Sequence, residues 1–125
     1  MTNVVIDNNV FTDTKNTSAI NISNSDNVYI TSNNRINGGR RGISCMSSSN
    51  IKIDGVLLEE LNSDSDFILV GESSNVELNK INFNNCNTTG YNVLLRNCSD
   101  VNADSCRDIN TTSDSGYFLR LYTKD

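Results

Sequence analysis

Seven charged residues on two neighbouring stretches are the ones best suited to chemistry. Arg35, Arg40 and Arg41 surround Gly38-Gly39, and Glu59, Glu60, Asp64 and Asp66 follow one segment later. Glycoside hydrolysis needs two carboxyl groups about 5–9 Å apart, and Glu59 with Asp64 or Asp66 offers such a pair. Calcium needs several fixed oxygens, of which Asp64 and Asp66 could supply two. The plainer reading is an exposed salt-bridge cluster, which adds little to stability. Other residue types narrow the choice. His is absent, which removes the commonest general base and metal ligand. Cys45, Cys86, Cys98 and Cys106 form no Cys-x-x-Cys pair and have no His partner, so they read as free buried thiols rather than a zinc site. The sequence assigns no catalytic residue, no metal ligand and no cofactor.

Composition bounds the rest. At 125 residues the chain suffices for one domain, residues 1–125. Hydrophobic residues make up only 36%, while Asn, Ser and Thr number 22, 16 and 10. A net charge of −5 disfavours a general nucleic-acid binder, whose affinity rests on clustered Lys and Arg. No apolar run reaches the length of a membrane span, and the first residues lack a signal-peptide pattern.

What must position the charged residues is a repeat. An Asn, once Asp, precedes two apolar residues spaced two apart: Asn3-Val4-Val5-Ile6, Asn27-Val28-Tyr29-Ile30, Asn50-Ile51-Lys52-Ile53, Asn75-Val76-Glu77-Leu78 and Asp100-Val101-Asn102-Ala103. The intervals are 24, 23, 25 and 25 residues, a period typical of solenoids. A second apolar pair lies before each following corner: Ile20/Ile22, Ile43/Cys45, Ile68/Val70, Val93/Leu95 and Leu119/Leu121. A spacing of two puts both members on one face of a strand. A third pair, Val56/Leu58 and Ile81/Phe83, is less regular; Val10, Ile36, Cys106 and Ile109 fit it only in a shifted register. Three short strands per period pair best with their equivalents in the turns above and below. The expected fold is all-β: a parallel β-helix of about five 23–25-residue turns with three short parallel sheets, and Asn stacked at the corners.

Over residues 3–122 this pattern resembles the right-handed parallel β-helix family shared by pectate lyases, phage tailspikes and surface adhesins. Right-handedness is what the resemblance implies. It is specific for architecture and weak for activity, because the fold hosts lyases, hydrolases, adhesins and spacers alike. The polygalacturonase-type motifs Asn-Thr-Asp, His-Gly and Arg-Ile-Lys have no match, so an enzyme is not expected.

Length varies only between the third strand and the next apolar pair, at Thr12 to Ser18, Asn37 to Arg41, Glu59 to Asp66, Asn84 to Gly90 and Asn110 to Gly116. Stacking places these loops, and with them the seven charged residues, on one edge, where binding to a ligand or partner is expected. Counting alternate positions outward gives an apolar stripe of Phe67, Leu69, Leu94, Phe118 and Tyr122, with Met46 beside it, near the C-terminal end. A patch of that size suggests a protein interface. No amphipathic helix caps either terminus, so a partner or another copy is expected at the ends, or else the chain is a piece of a longer rod.

The leading expectation is a non-catalytic binding module like a piece of a phage tailspike or adhesin. The resemblance implies a homo-oligomer, a trimer, that buries the stripe between copies and meets a surface glycan. Its setting would be the virion or cell exterior. The alternative reads the chain, which opens with Met1, as a whole small phage-encoded inhibitor in the host cytoplasm. It would dock on a host protein through its acidic loop and apolar stripe. A polysaccharide lyase or hydrolase fragment ranks third. Neither membrane nor direct nucleic-acid contact is expected.

Overall fold

Consecutive strands are separated by two to five residues. The computed structural model describes residues 2–12, 18–64, 66–109, 112–113 and 119–122, with side chains up to Cys106, Ser63 excepted. The first rung holds β1 (Thr2–Ile6), β2 (Val10–Thr12) and β3 (Ser18–Ser23), and the second β4 (Asp26–Ile30), β5 (Arg35–Asn37) and β6 (Arg41–Met46). The third holds β7 (Ser49–Asp54), β8 (Leu57–Glu59), β9 (Asn62–Ser63) and β10 (Ile68–Gly71). The fourth holds β11 (Ser74–Asn79), β12 (Asn82–Asn84), β13 (Asn87–Thr88) and β14 (Val93–Arg96). The fifth holds β15 (Ser99–Asp104), β16 (Arg107–Ile109), β17 (Thr112–Ser113) and β18 (Leu119–Tyr122).

Every strand pairs in parallel with its equivalent one rung away. Three five-stranded sheets result: β1-β4-β7-β11-β15, β2-β5-β8-β12-β16 and β3-β6-β10-β14-β18. We call them the first, second and third sheets. A fourth, short sheet β9-β13-β17 adds to the three that the sequence suggests. Its strands are two polar residues long, so no hydrophobic alternation announces them.

The apolar pairs form the bore. Val28, Ile30, Ile51, Ile53, Val76 and Leu78 of the first sheet are at most 1% exposed. Ile43, Cys45, Ile68, Val70, Val93 and Leu95 of the third are fully buried. In the second sheet Phe11, Ile36, Leu58 and Phe83 lie level, so Phe11 takes the column and Val10 faces out beside Arg35. Leu61 and Cys86, unassigned by the pattern, fill the corner beside the short sheet. Phe67 also turns inward, to 5.7 Å between ring centroids from Phe83. Gly42 occupies the equivalent place one rung earlier; a Cβ there would meet the Leu58 side chain.

Corners explain the Asn excess. Between the third and first sheets two left-handed residues flank a two-residue turn: Asn24 and Asn27, Ser47 and Asn50, Glu72 and Asn75, Asn97 and Asp100, with φ between 50° and 56°. Asn and Asp tolerate this region better than other residues with a Cβ. Their amides also stack. Asn27 Nδ2 donates to Asn3 Oδ1 at 2.9 Å and Asn75 Nδ2 to Asn50 Oδ1 at 2.7 Å. Between these two bonds Asn50 Nδ2 donates to Asp26 Oδ1 instead, at 2.9 Å.

Inside that corner runs a buried hydroxyl column. Ser25, Ser48 and Ser73 each donate to the carbonyl two residues back, at 2.9, 3.0 and 2.8 Å. The backbone N–H of Ser25 donates to Ser48 Oγ and that of Ser48 to Ser73 Oγ, both at 3.1 Å. Cys98 takes the next place, its thiol 3.5 Å from the Arg96 carbonyl.

Two outcomes test this account. Phe83→Ala removes a fully buried ring from the column and is expected to cost about 3–5 kcal/mol in urea unfolding. Glu72 is held at φ 51° without the local bonding of Asn, so Glu72→Asn is expected to stabilise by up to ~1 kcal/mol in the same assay.

Candidate functional site

The charged residues meet along the edge between the second and third sheets. Stacking brings the loops of successive rungs together: Gly38 N–H donates to the Glu59 carbonyl at 2.9 Å, and Glu60 N–H to that of Asn84 at 3.0 Å. Arg35 Nε then lies 2.6 Å from Glu59 Oε1, which Asn37 Nδ2 also approaches at 3.3 Å. Arg40 Nε lies 2.8 Å from Asp64 Oδ1. Arg41 Nε donates to the Asp66 backbone carbonyl at 3.2 Å, while Asp66 Oδ1 accepts the Tyr91 N–H at 2.8 Å. Glu60 stands apart: exposed, with φ 62°, it makes the turn after β8.

Opposite charges on adjacent rungs thus pair as their spacing suggests. Glu59 and Asp64 each hold an arginine, and Asp66 is tied to backbone. The Arg40 guanidinium keeps the Asp64 carboxyl below the usual carboxylate range. A general acid needs the reverse, a carboxyl held above it. Among the described residues no group of three or more His, Cys, Asp or Glu is arranged to hold a metal.

The apolar stripe is where the sequence reading needs correction. Phe67 is not on the surface; it is fully buried in the bore. Counting by twos from β10 points it outward, but Phe67 precedes that strand, at a bend where the alternation no longer holds. The outer column of the third sheet runs Asn21, Ser44, Leu69, Leu94. Leu69 and Leu94 are half-buried, as is Met46. Met46 lies against Gly71, where a Cβ would meet its sulfur at 2.6 Å. Tyr122 ends β18, level with Arg96; its side chain and all of Phe118 lie outside the described residues.

The most exposed large hydrophobic residues sit elsewhere: Val5 at 65%, Val10 at 69% and Tyr29 at 37%. Val5 and Tyr29 open the outer column of the first sheet, followed by Lys52, Glu77 and Asn102. Lys52 Nζ stands 5.3 Å from the centroid of the Tyr29 ring, within cation–π range. The signal lay in the third position of the Asn-Val-x-Ile repeat, which is apolar in the first two rungs and polar afterwards.

Three of the four thiols are poor nucleophiles. Burial pushes Cys45 up to about 11, and raises Cys86 and Cys106. All four cysteines are free, and a thiol so raised is inert at neutral pH.

Parallel sheets closed around an apolar bore, with charged loops stacked along one edge, define a β-solenoid, a fold that presents surfaces on a rigid rod. The chain belongs to the right handed beta helix region family, whose model matches residues 1–120. No curated protein and no solved structure matches it. The fold is consistent with a binding or structural module.

Three carboxyl groups at different places on the rod link its stability to pH. The Ser49 hydroxyl, at 2.7 Å, is the main group holding Asp26 below its ordinary value, with the Asn50 amide adding to it. The Thr31 hydroxyl and the Asn33 amide do the same for Asp7, and Arg40 does so for Asp64. A carboxyl depressed in the folded state adds stability that is present above its unfolded pKa and lost as pH falls through the folded one. The thermal midpoint is therefore expected to fall as pH drops below about 4. In Asp26→Asn that fall should be shallower than in the parent, as read by circular dichroism melts.

Proposed function

We propose that the chain is a non-catalytic binding and assembly module of the phage-tailspike or adhesin kind. It associates with further copies of itself through the outer face of the third sheet and meets a surface glycan along its charged edge. The observation that carries this reading is the in-register Leu69–Leu94 pair on the outward side of a regular sheet, with Met46 one strand before it. An outward aliphatic column of this kind gains from being covered by a like surface.

The charged edge supports the non-catalytic half. Glu59 and Asp64 neutralise arginines and Asp66 holds backbone, and Arg40 keeps the Asp64 carboxyl low, the reverse of what a general acid needs. What the edge offers is a row of fixed donors and acceptors, Arg35, Asn37, Glu59, Arg40 and Asp64, suited to sugar hydroxyls.

Light scattering tests the assembly. The wild type is expected to run well above its 13.8 kDa chain mass. Leu69→Lys with Leu94→Lys should lower that mass without altering the far-ultraviolet spectrum. A wild type that stays at the chain mass at every concentration sinks this reading.

A further inference from the structure

Of the 22 asparagines in this chain only one precedes a glycine: Asn37-Gly38, among the arginines of the charged edge. That step is the one most open to deamidation, because no Cβ on the following residue hinders ring closure. The Gly38 backbone nitrogen attacks Asn37 Cγ, and the Cγ–Nδ2 bond breaks. Ammonia leaves with the proton that Gly38 gives up. A succinimide ring remains, and water opens it at either carbonyl. One opening gives aspartate. The other gives isoaspartate, whose backbone runs through Cβ. No oxidant or reductant enters.

The folded rod holds this step shut. Gly38 is buried and its N–H donates to the Glu59 carbonyl at 2.9 Å, so the attacking nitrogen is engaged as a donor. Asn37 ends β5, in register between Thr12 and Glu59. Extended backbone there keeps its side-chain carbonyl carbon away from the nitrogen that follows. The amide is engaged as well, with Asn37 Nδ2 at 3.3 Å from Glu59 Oε1. The turn does not itself demand glycine. Glu60 and Asn85 hold the equivalent places in the next two rungs, at φ 62° and 55° against 73° for Gly38.

We propose that Asn37 is a deamidation site latched by the third rung, and that its conversion loosens the charged edge irreversibly. Glu59 Oε1 loses the amide donor and gains a second carboxylate beside it. The new carboxylate competes for the Arg35 guanidinium, whose Nε lies 2.6 Å from Glu59 Oε1. Isoaspartate does more. It adds Cβ to the backbone within β5, and the Gly38 N–H then falls out of register with the Glu59 carbonyl. Release needs only a local opening of this ladder, not unfolding of the rod. The edge is altered in this way whatever binds along it.

Incubation of the full chain at mildly alkaline pH, folded and in concentrated urea, tests it. Peptide mass mapping locates the conversion, and hydrogen exchange reads the Gly38 N–H. In urea Asn37 is expected to convert ahead of every other asparagine. In the folded chain it should convert at least about tenfold more slowly. Its rate should rise together with Gly38 exchange as urea is added below the unfolding midpoint. Asn37→Asp, the simpler product, should melt below the parent in circular dichroism. Adding Glu59→Gln to it should recover most of that loss, because the new carboxylate then holds Arg35 alone. Equal rates in the folded and unfolded chains would overturn the latch. So would conversion that proceeds while the Gly38 N–H stays protected. An Asn37→Asp chain as stable as the parent, or one that Glu59→Gln weakens further, would overturn the effect on the edge.

Discussion

A backbone ladder between strands one repeat apart is the constraint on which everything else in this molecule rests. No strand has a partner in its own rung, so each must find one roughly 24 residues away, in exact parallel register. Once that register holds, every side chain lies over its equivalent. Columns, rather than scattered contacts, become the units of structure. The interior needs Ile, Val and Leu at two places per strand. The corners need residues that accept a left-handed backbone and can bond along the axis. Asn meets both needs, and Ser meets the second inside the corner.

This column logic explains what could be read from sequence. The first and third sheets were legible because their apolar pairs recur with a spacing of two and an Asn in front. A salt-bridge cluster between the arginine loop and the acidic loop was legible because opposite charges fall on adjacent rungs; which arginine takes which carboxylate was not. Legibility failed where a single residue leaves the strand geometry. Phe67 sits just before β10, where the chain bends, so counting from its neighbour gives the wrong side. Val10 and Phe11 differ by one position in a three-residue strand, too short to fix its own register. The short sheet, built from pairs such as Asn62-Ser63 and Asn87-Thr88, has no apolar residue to reveal it.

Scaffold and surface are separable as a result. The bore and corners use nearly all the residues that repeat, and what does not repeat is free to differ from rung to rung. The charged edge and the Leu69–Leu94 face each exploit that freedom at a different place on the rod. The charged edge and the Leu69–Leu94 pair share no side chain, so a change to one need not disturb the other.

The parallel stacking of whole rungs also has a mechanical meaning. A pull on the two chain ends along the axis does not load all the ladders together. It peels the terminal rung from its only neighbour, and the next rung then takes the load. Each step frees one repeat, 23 to 25 residues, or roughly 80 Å of extended chain. The rod is stiff against bending and yet comes apart like a zip fastener, one tooth at a time.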